Sequence, residues 1–323
     1  ATSLPRATAA WLSPRAVDDV FHVRDGVTGD IDRVARVLSS RAVSIVLSGG
    51  GPRGFAHIGV LRAVRELDIP IDFIAGSSIG SVIAAVAAQG LADDDTVATA
   101  KESFHKIMNW TLPIVSMISG KRIAASIVRQ FGGIGIEDLW VPYFCVSTSL
   151  TRAQAVVHRR GPLGMAIRAS VAIPGLLPPV PFGDDLLVDG GVIHNLPVPE
   201  SRRDNPKGLV VAVDVAPPGE SPPRVDYGLS ISGWAALRAM IRGRSRPSML
   251  HETVLGSMLI ASTRDRDSVV AEGLADLYLL IDAQGCGPFD WEAVERVADA
   301  GYASTRETLT AWVDEVGAPW VMH

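Results

Sequence analysis

Gly76-Ser77-Ser78-Ile79-Gly80 spells G-x-S-x-G. Glycines two residues to either side of a serine permit a sharp strand-to-helix turn that holds the hydroxyl strained and exposed, because they remove the Cβ clashes of such a turn. A helix starting at once brings its free N–H groups and the positive end of its dipole beside the serine oxygen. The chemistry on offer is nucleophilic attack. The five-residue pattern is common, and a glycine-lined seam between packed helices is the lesser alternative. Gly49-Gly50-Gly51-Pro52-Arg53-Gly54 is a second glycine run. It fits the G-x-G-x-x-G of a dinucleotide-binding turn, which wants an acidic residue after the next strand to hold a ribose. The next strand ends in Gly76-Ser77-Ser78 and offers none. The run also fits an oxyanion hole: consecutive glycines let N–H groups point at one spot, and each such donor is worth about 2.7–4 kcal/mol of transition-state stabilisation.

A serine nucleophile needs a base. The chain has seven histidines, and only His194 has a supporting context. Asp189, in Leu187-Val188-Asp189-Gly190-Gly191, is the stronger candidate. A carboxylate at a strand end, followed by two glycines, can approach a partner closely. Asp-Gly is also a common turn pair, so a capping or turn role is the alternative.

These residues work together only if the elements place them side by side. Residues 43–47 form a short, β-branched apolar run, the pattern of a buried strand, and the first glycine run follows it. A helical pattern comes next, with Val60, Leu61, Val64 and Leu67 inward and Arg62, Arg65 and Glu66 outward. Ile69-Pro70 closes it, 71–75 reads as a second strand and 79–89 as a buried helix. This order is a βαβα unit, which builds parallel sheets, and loops after neighbouring parallel strands emerge at the same carboxyl edge. Elsewhere, Asp30 is expected to cap a helix over 31–38 whose Ile31, Val34, Ala35 and Leu38 share one face. Further helices are expected over 93–108, 120–131, 230–242 and 290–315. Further strands are expected over 143–149, 153–158, 186–188, 209–215 and 277–281. Pro174, Pro178, Pro179 and Pro181 exclude regular structure from a long loop, and Pro217, Pro218, Pro222 and Pro223 mark another. The expected organisation is an N-terminal arm over 1–40 and an α/β domain over 41–323, with its core in 41–216 and a helical extension in 229–323.

The G-G-G-x-R-G run, the G-x-S-x-G elbow and the D-G-G acid, in that order, resemble the patatin-like phospholipase family, and within it the neuropathy target esterase branch and its bacterial relatives. His57-Ile58-Gly59-Val60-Leu61, Arg168-Ala169-Ser170 and Ser232-Gly233-Trp234 extend the resemblance over roughly 30–315. It implies a mostly parallel central sheet sandwiched by helices. It implies Ser78 as nucleophile and Asp189 as base of a Ser–Asp dyad, with Gly50 and Gly51 supplying oxyanion N–H groups and Arg53 steadying their loop. Gly49, Gly54, Gly76, Gly80, Gly190 and Gly191 are the motif glycines. No cofactor and no metal are implied. A carboxylate is a weak base for a hydroxyl, so a dry pocket must raise its pKa and the helix dipole must help. Ser48 stands where relatives often have glycine, and His194 where an asparagine is expected, which leaves His194 as a candidate acid–base assistant or a loop histidine. Cyclic-nucleotide-binding-like domains and a membrane anchor are implied upstream in full-length relatives. The start at Ala1 rather than Met fits an excised catalytic portion.

The resemblance implies an esterase of (lyso)phospholipids. A neutral-lipid lipase or general carboxylesterase on the same dyad is the nearest alternative, and a non-catalytic lipid-binding module the more distant one. Composition agrees with a buried sheet: 47% of 323 residues are hydrophobic, and the net charge of −5 gives no basic excess to suggest nucleic acid. The uncharged stretch 73–92 is long enough to span a bilayer, but its serines and glycines favour a strand, a turn and a helix. Cys145 and Cys286 make no disulfide framework and fit a reducing, cytoplasmic setting. Trp234, Leu237, Met240 and Ile241 share one face of a basic helix, expected either to dock on a membrane surface or to pack on the domain.

Overall fold

The computed structural model describes residues 3–91, 97–99, 111, 114–215, 232, 234, 238, 250–283, 286–287 and 290–321. One sheet organises them. Strands β1 (Val43–Leu47), β2 (Phe73–Ser77), β3 (Tyr143–Ser149), β7 (Leu209–Asp214) and β8 (Leu277–Leu280) are parallel in the order β3-β2-β1-β7-β8. β4 (Gln154–His158) and β6 (Asp185–Asp189) run antiparallel to β3, and β5 (Val180–Phe182) pairs β6 at the edge. All of β1 is buried, as its short, mostly β-branched apolar run predicts.

Each face of the sheet has its own helices. Ile45 and Leu47 of β1 pack with α3 (Ala56–Glu66), α4 (Ile79–Ala88), α5 (Lys121–Phe131), α6 (Leu163–Ser170) and α9 (Val294–Val316). On the other face Val46, Val210 and Ala212 meet Val198 of α7 (Val198–Asp204) and Val269 of α8 (Leu250–Ala271). The layer order is therefore helix, mostly parallel sheet, helix. Helices α3 and α9 cross backbone to backbone: a Cβ on Gly59 would fall 1.8 Å from the Ala298 carbonyl oxygen, and one on Gly301 2.2 Å from that of Ala56.

Several local expectations are corrected. Helix α2 (Thr28–Leu38) begins before Asp30, which does not cap it. Asp30 turns inward instead, bonded by Arg24 and paired with Arg33 at 3.3 Å. Because that ion cluster takes the inner side, Ile31 and Leu38 face solvent at 60% and 81% exposure. Arg36 holds Asp72 in front of β2, so α2 docks on the domain through charge rather than an apolar stripe. The proline-rich loop contains a strand, β5, because Pro181 lies on a sheet edge where a missing N–H breaks no ladder. Helices α6, α7 and α8 were not expected. The expected strand at 71–75 lies two residues later, at Phe73–Ser77. His158, the last residue of β4, is buried against Ser147 and Phe182. The expected helices over 93–108 and 230–242 lie outside the described residues, apart from 97–99, 232, 234 and 238. No helix among the described residues is long and apolar enough to cross a membrane.

Candidate active site

β2 delivers Ser78 into the turn before α4 with φ 50° and ψ −125°, a left-handed conformation that L residues rarely adopt. The flanking glycines are needed for closeness. A Cβ on Gly76 would lie 2.4 Å from the Gly80 carbonyl carbon, and one on Gly80 2.4 Å from the Leu47 carbonyl oxygen. Helix α4 starts at the next residue, so its N-terminal dipole lies against Ser78.

The register explains how a residue 111 positions away reaches this turn. Residues 143–146 of β3 pair with β2 and 147–149 with β6, while β4 pairs with 145–149. A strand has two edges, so β2 and β6 must share one, lying end to end along β3. Their carboxyl ends meet there. Ser78 Oγ donates to Asp189 Oδ2 at 2.7 Å, and Asp189 Oδ1 accepts the Gly191 N–H at 2.8 Å. Asp189 is 1% exposed. Burial pushes its pKa up to about 7, against the opposing bonds from Ser78 and Gly191. Gly190 sits against Ser77, whose Oγ would be 2.5 Å from a Cβ there.

The first glycine run lies against the same serine. A Cβ on Gly49 would be 3.0 Å from that of Ser78 and 2.5 Å from Asn195 Oδ1. Gly49 donates its N–H to the Asn195 carbonyl, and its own carbonyl accepts from Asn195 Nδ2, both at 3.2 Å. Gly51, at φ 58°, borders the same cleft as Ser78. No acceptor among the described residues takes the N–H of Gly50 or Gly51. Gly54 fits against Ile79 at the start of α4. Arg53 is half-buried, and among the described residues its guanidinium makes no hydrogen bond or ion pair with Ser78 or Asp189.

Other groups at the site were given no role by the sequence, although His57 and Ser170 lie in stretches that carry the resemblance. Ser170 Oγ accepts the Ser78 N–H at 3.0 Å. His57 Nε2 lies 2.9 Å from the Ser48 carbonyl oxygen. A carbonyl only accepts, so Nε2 carries the proton, and burial holds the ring's pKa down to about 4. Ser48 Oγ accepts the Val215 N–H, a bond that glycine could not make. His194 is not at the dyad. It bonds Asp265 of α8 at 3.1 Å and lies 3.9 Å from Glu200 of α7, and the bond to Asp265 raises its pKa. Asn195, the next residue, turns back to Gly49. Trp234 is 76% exposed, while Leu237, Met240 and Ile241 lie outside the described residues.

The cleft at Ser78 is walled by Ile118, Ile123, Val171, Leu176, Leu177 and Trp291. Among the described residues no three His, Cys, Asp or Glu side chains gather as metal ligands would. A reacting carbonyl in this cleft would meet a hydroxyl, a carboxylate that can take its proton and a glycine loop with free donors, the parts of an acyl-transfer site.

Fold and site together define an α/β protein of the serine-elbow class, with a buried carboxylate hydrogen-bonded to the serine. Residues 45–201 match the family model described as patatin-like phospholipase, and the chain belongs to that family. It is 40% identical over 243 residues to mouse patatin-like phospholipase domain-containing protein 6, covering 71% of this chain and 18% of the relative. It is 33% identical over 294 residues to lysophospholipase NTE1 of Debaryomyces hansenii, covering 88% of this chain and 19% of the relative. The chain thus spans about a fifth of the length of these relatives. Among solved structures, VipD from Legionella pneumophila matches with a TM-score of 0.45 at 13% identity, over 84% of this chain and 67% of that one.

Proposed function

We propose that this chain hydrolyses acyl esters of lysophospholipids or phospholipids by an acyl-enzyme route on a Ser–Asp dyad. The 2.7 Å bond from Ser78 Oγ to a buried Asp189 carries the reading. The names of the relatives, a phospholipase-domain protein and a lysophospholipase, support the substrate class, as does the apolar cleft at the serine.

Ser78 Oγ attacks the ester carbonyl carbon while its proton passes to Asp189 Oδ2. The oxyanion is received by the N–H groups of Gly50 and Gly51 and by the positive end of α4. The ester C–O bond then breaks, and the departing alkoxide takes the proton from Asp189. Water attacks the acyl-Ser78 carbonyl, gives a proton to Asp189 and releases the fatty acid as Ser78 recovers its hydrogen. Burial makes the unaided carboxylate fit for this work, since a pKa of about 7 places its proton affinity near neutral pH. Such a substrate resides in or near a bilayer, and exposed Trp234 is a candidate contact with the membrane surface.

The test is fluorophosphonate labelling with and without lipid micelles, followed by turnover of lysophospholipid, diacylphospholipid and triacylglycerol. Labelling of the wild type and not of Ser78→Ala, with lysophospholipid turned over fastest, is expected. A wild type that never labels in micelles would sink the hydrolase in favour of a lipid-binding module, and triacylglycerol as the best substrate would reassign it as a neutral-lipid lipase.

A further inference from the structure

The cleft at Ser78 does not end at its own wall. A second cavity adjoins it, and the two share Ile123 and Val171. Val82, Ser126, Ile127, Gln130 and Phe131 border the second cavity and not the first. The arrangement follows from helix geometry. Ile79 borders the first cavity and Val82, one turn on along α4, borders the second. On α5, positions 123, 126, 127, 130 and 131 share one face, which runs roughly 12 Å along the axis from the waist to Phe131. The face is apolar apart from Ser126 and Gln130; among the described residues the buried Ser126 Oγ makes no hydrogen bond, and Gln130 Nε2 donates to the Thr99 carbonyl. The outward side of the same helix carries Val128, which is 68% exposed.

Resting on the acyl-ester reading above, we propose that this second cavity is the inner chamber of an acyl-chain site. Ile123 and Val171 form its waist, and it selects long, unbranched acyl chains by receiving their distal methylenes between α4 and α5. A short acyl group fills only the outer cleft and gains nothing from the chamber. A chain branched near its middle is stopped at the waist. Phe131, 1% exposed, closes the far end and sets the longest chain accommodated without rearrangement.

Ser126→Leu fills the chamber without orphaning a partner, and Val82→Leu fills it from the opposite wall. Two measurements are made on each folded variant. One is the ratio of kcat/KM for hexadecanoyl- over butyryl-lysophosphatidylcholine. The other is calorimetric binding of hexadecanoate, which requires no turnover. Each variant is expected to lower the ratio at least tenfold and to weaken hexadecanoate about tenfold, the equivalent of about 1.4 kcal/mol. Val128→Leu, on the outward side of α5, should keep the wild-type ratio. Folded Ser126→Leu and Val82→Leu that both retain the wild-type ratio and affinity would overturn the chamber. If the wild type turned over no ester while the filling variants still weakened hexadecanoate, the hydrolase reading would fail and the chamber would stand.

Discussion

Asp189 is the residue whose environment matters most. An ordinary aspartate titrates near 3.9, and burial lifts this one to about 7. The base must be ionised, so kcat/KM should rise about tenfold per pH unit below 7 and level off above it, as a pH–rate profile on a soluble short-chain ester would record. The stability consequence has the opposite sense. A folded-state pKa above the unfolded value gives a contribution that is fully present below about pH 3.9 and is lost as pH rises through 7. Asp189→Asn should therefore abolish turnover while raising Tm, by more at pH 8 than at pH 5. A variant no more stable at pH 8 than the wild type would show that the carboxylate is not held in the dry setting described. Asn195 acts one step removed. It holds both backbone groups of Gly49, so Asn195→Ala should lower kcat by roughly ten- to a hundredfold with little change in KM, on the usual scale for loosening a preorganised oxyanion donor. The turns that carry Ser78 and Asp189 were readable in the sequence because glycines at fixed spacing encode a backbone shape. The contacts of Ser170 and Asn195 were not, because a serine or asparagine that bonds a distant main-chain atom leaves no periodic trace.

At the scale of elements, β1, α3, β2 and α4 were legible as a unit because strand and helix periods alternate cleanly from 43 to 88. Helix α2 was misread for a physical reason. Asp30 reads as a helix cap, yet it is buried with Arg33 inside the helix, and Arg24 closes the cluster. Helix α6 and strand β5 were hidden by the prolines around them, one of which, Pro162, stands at the helix's own N-cap. The contact between α3 and α9 makes a sharp prediction. Gly301→Val places a branched side chain where even a Cβ meets backbone at 2.2 Å, so it should cost several kcal/mol, at or beyond the upper end of overpacking penalties, and lower Tm accordingly. His194 joins the loop after Asp189 to α7 and α8 through Glu200 and Asp265. Its pKa is raised by the Asp265 bond, so this tie is strongest below pH 6.5 and is lost as pH rises through the folded value. His194→Ala should accordingly lower Tm at pH 6 and hardly at pH 9. Equal losses at both would assign the histidine a packing role instead.

For the whole molecule, the apolar excess of the composition is accounted for largely by a sheet covered on both faces and by the cleft it carries. The uncharged run 73–92 contributes β2, the serine turn and α4 to that arrangement rather than a bilayer span. The carboxyl-terminal third is not an appendage: β8 extends the sheet beside β7, and α9 lies on α3. A chain ending at Ala283 should therefore expose α3 and lose its cooperative thermal transition, read by calorimetry together with increased binding of a hydrophobic dye. What the sequence could not foretell was the meeting of β2 and β6 along one edge of β3, because nothing local to residues 185–189 reports a partner 111 positions earlier. That meeting has a further consequence. Strand side chains alternate faces, so sliding β6 by a single residue along β3 would turn the Asp189 carboxylate to the opposite side of the sheet. Turnover then becomes an all-or-none readout of correct assembly. Two halves of the chain, parted in the loop between β4 and α6 and expressed separately, would be silent alone and would regain hydrolysis only when β6 docks in the right place.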